Sequence, residues 1–312
     1  MSLSAAPTLA QLASRAAARW PSADRAVRRL LRAVRQRSAP KSPREYLKKV
    51  GRIRQVTSNG HTYSFVCPNR TVSWRVTTFL TKEPETIEWI DTFAPGDVLF
   101  DIGANIGLYS IYAASRSVKV MAFEPESQNY ALINQNIFLN GFGERIACLA
   151  VALSDRQGVD YIYLSRFRAG ESLHNFGAAL DWQQRPFTPS FQQGSLSFSL
   201  DAFLELQPEP FPTHIKIDVD GIEARVIRGA SRTLRDARVK SLLVEFDAAS
   251  QDDVAAIAAI EAAGLTLLHR KRAPTFNVEK FPELYNYVFV RQPSAQAIDA
   301  HVAALEGQRE IE

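Results

Sequence analysis

The 312-residue sequence predicts an α/β protein organised on a doubly wound, mostly parallel sheet. Three observations carry that prediction. Near-continuous apolar runs (VLFDIG, KVMAFEP, THIKIDVD, KSLLVEFD) alternate with segments of helical spacing, the pattern of a parallel sheet covered on both faces. Residues 101–107 read DIGANIG, a glycine-bearing turn where the first of these strands gives way to a helix. Glu124 ends the second strand, 23 residues after Asp101 ends the first, so two acidic side chains arrive at neighbouring carboxyl ends, where such sheets bind ligands.

Taken in order, residues 1–40 are rich in Ala, Leu and Arg at helical spacing and are broken by Pro21 and Pro40. Residues 1–55 hold 14 Lys/Arg against 2 Asp/Glu, so the chain's net +4 hides an acidic body behind a basic front. We read residues 1–50 as a basic helical extension. A loosely attached basic helix is the first reading; an arginine-rich amphipathic face in peripheral contact with anionic lipid at the inner membrane surface is the second. A transit peptide fits the same acid-poor pattern. No nucleic-acid recognition motif accompanies the basic run, so nucleic acid is not an expected partner. No stretch reaches the ~18 apolar residues a membrane span needs. Cys67 and Cys148 are the only cysteines, too few and too far apart for a disulfide framework or a cysteine zinc site, and a reducing cytoplasm is expected.

The main domain is expected over 51–292, with a terminal helix or tail over 293–312. VTSNGHTYSFVCPN reads as a hairpin turning at Asn59-Gly60. WRVTTFLTKEPETIEWIDTF leads into a helix with Pro84 in its first turn. Strand VLFDIG, helix LYSIYAASR, strand KVMAFEP, a helix over 128–140 and strand ERIACLAVAL follow. Residues 156–198 break the rhythm and read as a long irregular insertion, a substrate loop or lid. The alternation resumes with THIKIDVD, helix GIEARVIRGASRTLRD, strand KSLLVEFD and helix DDVAAIAAIEAAG, which Gly264 stops. LTLLHRK and YNYVFVR close the domain as an antiparallel pair at one edge.

An acidic residue ending the second strand accepts hydrogen bonds from a ribose diol and repels a 2′-phosphate, which leaves NAD, FAD or S-adenosylmethionine. A dinucleotide turn reads G-x-G-x-x-G so that backbone can approach a pyrophosphate. Here Asn105 replaces the middle glycine, and the pattern D-x-G-x-N-x-G favours the phosphate-free, positively charged S-adenosylmethionine.

DIGANIGLYS, AFEPE, INQNIFLNG, VALSD, SLDAF and IKIDVDGIEARVIRGA, in that order over roughly residues 75–290, resemble the FkbM-type S-adenosylmethionine-dependent methyltransferases. The resemblance does not reach residues 1–50. It implies the class I methyltransferase (Rossmann-like) fold, a seven-stranded sheet with one antiparallel strand near the edge. It also implies methylation of oxygen on a sugar, polysaccharide, glycolipid or natural-product acceptor. Carried onto this chain, Asp101, Gly103, Ala104, Asn105 and Gly107 would form the methionine-binding turn and Glu124 would hold the ribose. Pro125, Ala152 and Leu153 would border adenine.

Methyl transfer from a sulfonium requires an aligned nucleophile and a group that takes its proton. In HIKIDVDGIE, alternation puts His214, Lys216 and Asp218 on one side, and Asp218, Asp220 and Glu245 reach neighbouring strand ends. Direct deprotonation by Asp218, Asp220 or a histidine is the first route these residues allow. Magnesium held by the carboxylates is the second, less favoured one, and no metal ligands are assigned. Asp220 is equally readable as the cap of the helix after it. Within AGESLHNFG (169–177), His174 is the preferred general base, because imidazole titrates near neutral pH. Trp182, Phe187 and Phe191 would stack on sugar faces or pin the insertion. Two competing identities are a methyltransferase-like protein docking on membranes through its basic front, and an NAD-dependent oxidoreductase.

Overall fold

The computed structural model describes residues 52–272 and 283–292. The expected extension over 1–50 and tail over 293–312 lie outside these residues. Strands β1 (Ile53–Ser58) and β2 (His61–Val66) pair antiparallel with Ser58 opposite His61, so Asn59-Gly60 forms the tight turn the sequence predicts. The expected single helix is two, α1 (Arg70–Lys82) and α2 (Pro84–Asp91). Asn69 caps α1 by accepting the Val72 amide at 2.9 Å. Proline at the first position of α2 starts a new helix, because it brings no N–H to continue the old one.

Then comes the alternating core: β3 (Val98–Ile102), α3 (Leu108–Ser115), β4 (Lys119–Phe123), α4 (Ser127–Asn140) and β5 (Ile146–Leu149). The stretch ERIACLAVAL is not one strand. β5 ends at Leu149, and β6 (Ala152–Leu153) joins a second sheet. That second sheet is the main departure from expectation. The insertion is not irregular: β7 (Gly158–Leu164) and β9 (Phe191–Phe198) pair antiparallel through seven residue pairs, with β8 (Asn175–Phe176) on β7 and β6 on β9.

The remainder runs α5 (Leu200–Leu206), β10 (His214–Ile217), α6 (Glu223–Gly229), β11 (Ser241–Asp247), α7 (Gln251–Ala262), β12 (Thr266–Lys271) and β13 (Leu284–Val290). Helix α6 is shorter than predicted, ending at Gly229 before a 3-10 turn at Thr233–Arg235. Seven strands form the large sheet in the order β12-β13-β11-β10-β3-β4-β5. All neighbours pair parallel except those of β13, which runs against both β11 and β12. One antiparallel strand beside the edge is the arrangement expected. Phe100, Ile102, Phe123, Ile215, Ile217, Val244 and Phe246 form the sheet's buried layer with Val226 and Ile227 of α6 and Ile260 of α7. Burial of each such side chain contributes roughly 1.5–3 kcal/mol. This rigid layer fixes the strand ends on which the site is built. Among the described residues, no helix is long and apolar enough to cross a membrane.

Candidate active site

The carboxyl end of β3 turns into α3 through a chain of amides hooked onto the end of β4. The N–H groups of Gly103 and Ala104 donate to the Phe123 carbonyl at 2.9 and 3.1 Å, and the Asn105 N–H donates to Glu124 Oε2 at 2.7 Å. Glu124 Oε1 accepts the Glu126 amide at 2.9 Å. Gly103 is required by packing: a Cβ there would sit 1.8 Å from the carbonyl oxygen of Asp218, at the end of β10. Gly107, in a left-handed conformation before α3, would push a Cβ to 2.5 Å from Ile133 on α4.

Above this turn opens a cavity of about 650 Å³. Of the predicted cofactor residues, Gly103, Asn105, Glu124, Pro125, Ala152 and Leu153 line it. Ala104 instead lines a recess of about 40 Å³ beneath. Gly107 lines neither and acts through the turn. Asp101 is a correction of the same kind. It is 1 % exposed, lies behind the wall, and accepts from Ser110 Oγ at 2.5 Å on Oδ2, while Oδ1 has no partner. Burial raises its carboxyl above the usual range, against the pull of Lys216. Asp101 is therefore tied to Ser110 of α3 behind the turn and does not form the cavity surface. Burial pushes the Glu124 carboxyl up to about 8, and its two amide donors only partly offset that.

Asp218, Asp220 and His174 all line the same cavity. Lys216, 2 % exposed, donates to Asp218 Oδ2 at 2.8 Å and lies 5.2 Å over the Tyr109 ring. Burial would strip the Lys216 proton, but Asp218, Asp101 and Glu83 hold its pKa above the usual lysine range. Tyr109 in turn donates to Glu83 at 2.8 Å, and Glu83 pairs with Lys82. Against its burial, Lys82 and Lys216 hold Glu83 down at about 2. Sequence reasoning missed this charged floor: Tyr109 and Lys216 lie inside recognised motifs without an assigned role, and nothing in the sequence joins Glu83 to them.

Asp220 does not cap α6. The cap residue is Ile222, and the Asp220 carboxylate reaches across to accept the Leu173 amide at 2.8 Å. Its backbone takes a left-handed φ of 61°, a costly conformation for aspartate that aims the side chain into the cavity. Burial and the nearby Asp218 push its carboxyl up to about 6. Glu223, the first residue of α6, accepts the Val219 and Gly221 amides of the preceding turn at 2.9 Å each, and burial beside Asp253 pushes it up to about 8. Glu245 lines the cavity too, raised well above the usual range by burial, Asp218 and Glu83. Among the described residues, no three His, Cys, Asp or Glu side chains form a group that could hold a metal ion.

The segment 169–174 is a strap fastened at many points. Asn69 donates to the Ala169 carbonyl at 2.8 Å, Arg75 Nε to the Gly170 carbonyl at 2.6 Å, and Asn105 Nδ2 to the Glu171 carbonyl at 2.9 Å. Asn129 accepts the Gly170 amide at 2.7 Å. Within the strap, His174 Nδ1 accepts the Ser165 amide at 3.2 Å, and Nε2 is buried without a partner. Burial lowers the imidazole to about 4. A neutral ring whose Nδ1 accepts carries its proton on Nε2. The geometry therefore offers no free lone pair for the general-base role expected of His174.

Glu124's carboxylate between two amides, the tight glycine turn and the carboxylate-rich wall fit a phosphate-free nucleoside with a positive charge. Comparison with known proteins agrees in kind. The family described as "Methyltransferase FkbM domain" matches residues 101–288. A curated protein of Streptomyces tacrolimicus, 31-O-demethyl-FK506 methyltransferase FkbM, is 40 % identical over 67 residues, which span 21 % of this chain and 25 % of that protein. Among solved structures, precorrin-6y C5,15-methyltransferase of Geobacter metallireducens GS-15 is 14 % identical with a TM-score of 0.40, covering 68 % of this chain and 90 % of that one. A putative methyltransferase from Streptococcus mutans is 12 % identical with a TM-score of 0.43, covering 77 % and 56 %. With more than half its length matched by that family model, the chain belongs to the FkbM methyltransferase domain family.

Proposed function

We propose that this chain is an S-adenosylmethionine-dependent O-methyltransferase acting on a hydroxyl of a sugar-like or natural-product acceptor. The observation that carries the reading is one cavity lined both by the Gly103–Asn105 turn with Glu124 and by Asp218, Asp220 and His174. S-adenosylmethionine, when bound, supplies a methyl group on a sulfonium that an oxygen takes by in-line displacement. Gly103, Asn105 and Glu124 hold the nucleoside, with Pro125, Ala152 and Leu153 beside the base. Asp220 is the proton acceptor: an aspartate raised to about 6 is ionised at neutral pH yet basic enough to share a hydroxyl proton. With S-adenosylmethionine held in the cavity, Asp220 would take the proton that the acceptor hydroxyl loses on gaining the methyl group. Asp218, held by Lys216, stays a fixed charge beside it.

Two features support a polyhydroxylated acceptor. Trp74 and Trp182 line the cavity with a surplus of carboxylates, a combination suited to stacking on sugar faces and accepting from sugar hydroxyls. The Streptomyces tacrolimicus relative is named for an O-demethyl substrate, which supports oxygen as the methylated atom. Titration calorimetry with S-adenosylhomocysteine and label transfer from S-adenosylmethionine to a panel of methyl glycosides test the reading. Saturable binding and labelled glycoside are expected. Binding of NAD in place of S-adenosylhomocysteine would overturn it.

A further inference from the structure

His174 is the one cavity-lining histidine among the described residues, and its role follows from which nitrogen is already engaged. A backbone N–H can only donate, so the 3.2 Å contact from Ser165 makes Nδ1 the acceptor. Nε2 then carries hydrogen, and it is buried with no partner in the protein. A buried N–H left unpaired is costly, and a ligand oxygen would relieve it. We propose that His174 is a specificity-determining residue that donates Nε2–H to an acceptor-substrate oxygen neighbouring the one methylated, so that the site selects acceptors with two vicinal oxygens.

The placement beside Asp220 narrows the choice of oxygen. Leu173, the residue before His174, donates its amide to Asp220 Oδ2 at 2.8 Å, so one strap positions both the proton-taking carboxylate and the N–H donor. A hydrogen bond donated to the reacting oxygen would tie up the lone pair needed for attack. A bond to the adjacent oxygen orients the substrate without that penalty. Gly170, where a Cβ would meet Val72 at 2.5 Å, keeps the strap packed on α1, and the Glu171 carbonyl is held by Asn105 of the turn below. Donor turn, strap and acceptor-reading group are thus one connected unit. This inference rests on the methyl-transfer reading for its substrate but not for its chemistry.

The experiment has two readouts. In the full-length protein, long-range proton–nitrogen NMR of the histidine rings, with H174Q to assign the signal, is expected to show Nδ1 bare and Nε2 protonated. That state should persist unchanged from pH 8 to pH 6, with Glu171 and Arg75 the charged groups acting on the ring. A protonated Nδ1, or a ring titrating near 6.5, overturns the proposal. In turnover with whichever methyl glycoside accepts label, H174A is expected to lose roughly tenfold in kcat/KM, mostly through KM. H174Q keeps an N–H donor and should stay within about threefold of the parent, whereas H174E offers a base without a donor and should fall at least as far as H174A. Equal losses in H174Q and H174A overturn the proposal. A glycoside panel giving no turnover counts against the methyl-transfer reading, and the tautomer then decides this one.

Discussion

The two ends of the large sheet carry similar residues in opposite conditions. At the amino end, His214 Nε2 meets Asp97 Oδ2 at 2.9 Å and His214 Nδ1 meets Ser241 Oγ at 2.7 Å. Ser241 also accepts the Trp89 indole N–H at 2.8 Å, and Lys240 donates to Asp97 at 2.6 Å. On paper that is a Ser-His-Asp relay. It is nevertheless closed: Phe93 stacks on the imidazole at 3.7 Å, Ser241 is only 5 % exposed, and each polar atom has a partner. At the carboxyl end, Asp101 Oδ1 and His174 Nε2 are buried without partners, and Glu124, Asp220 and Glu245 face open space. The difference teaches that residue types do not separate a site from a strut. Unmet bonding capacity beside a cavity does.

The largest contrast should come from one substitution at each end. Asp220→Asn removes the proton acceptor and is expected to lower kcat by roughly 10²- to 10⁴-fold in the label-transfer assay, with little change in the melting temperature. Asp97→Ala should do the reverse. It strands His214 and Lys240, costing about 2–4 kcal/mol in urea unfolding while the folded fraction keeps its turnover. If Asp97→Ala silenced turnover without loss of stability, the amino-end cluster would be a site after all. A smaller effect falls on cofactor binding. Both Glu124 oxygens accept backbone N–H groups, so Glu124→Gln sets an amide donor against a donor. S-adenosylhomocysteine affinity by calorimetry should fall roughly 10- to 100-fold.

What the sequence disclosed divides along physical lines. Strands buried on both faces write their apolar character into consecutive residues, so β3, β4, β10 and β11 and their order of alternation were legible. The turn and Glu124 were legible because spacing alone places them at adjacent strand ends. The ribbon in 156–198 was not. The inward residues of β9 include Ser195 and Ser197, and exposed Val159, Tyr161 and Leu196 sit on the outer face, so no apolar alternation announces strands. The strap and the Lys82–Glu83–Tyr109–Lys216 floor were illegible for another reason. Apart from the adjacent Lys82 and Glu83, the partners cited are 26 or more residues apart, and only the folded backbone brings them together. Asp101 shows the converse: a correctly recognised motif residue whose work is done from behind the wall.

The subtlest test is the pH dependence of stability without ligand, where the raised carboxyls of the carboxyl end and the buried imidazoles, His214 at the amino end and His174 in the cavity, should pull in opposite directions. At the carboxyl end, Glu124 and Glu223 stand raised from an ordinary 4.5 to about 8, and Asp220 from 3.8 to about 6. The folded state then binds more protons than the unfolded chain, so their contribution is full in acid and drains away as pH rises from about 4.5 through 8. At the amino end, burial lowers His214 below 6.5 although Asp97 pulls it up, and His174 shares that sign. The unfolded chain binds the extra proton in this case, so stability is lost as pH falls below about 6.5. Melting temperatures should therefore decline on both sides of a maximum between about pH 4 and pH 6, since at pH 6 the three raised carboxyls outweigh the two lowered imidazoles. Glu223→Gln, whatever it does to the absolute level, should flatten the alkaline limb alone, and His214→Gln the acid limb alone. If Glu223→Gln left the alkaline slope intact, the carboxyl end would not be the strained one, and the contrast between the two ends of the sheet would fail.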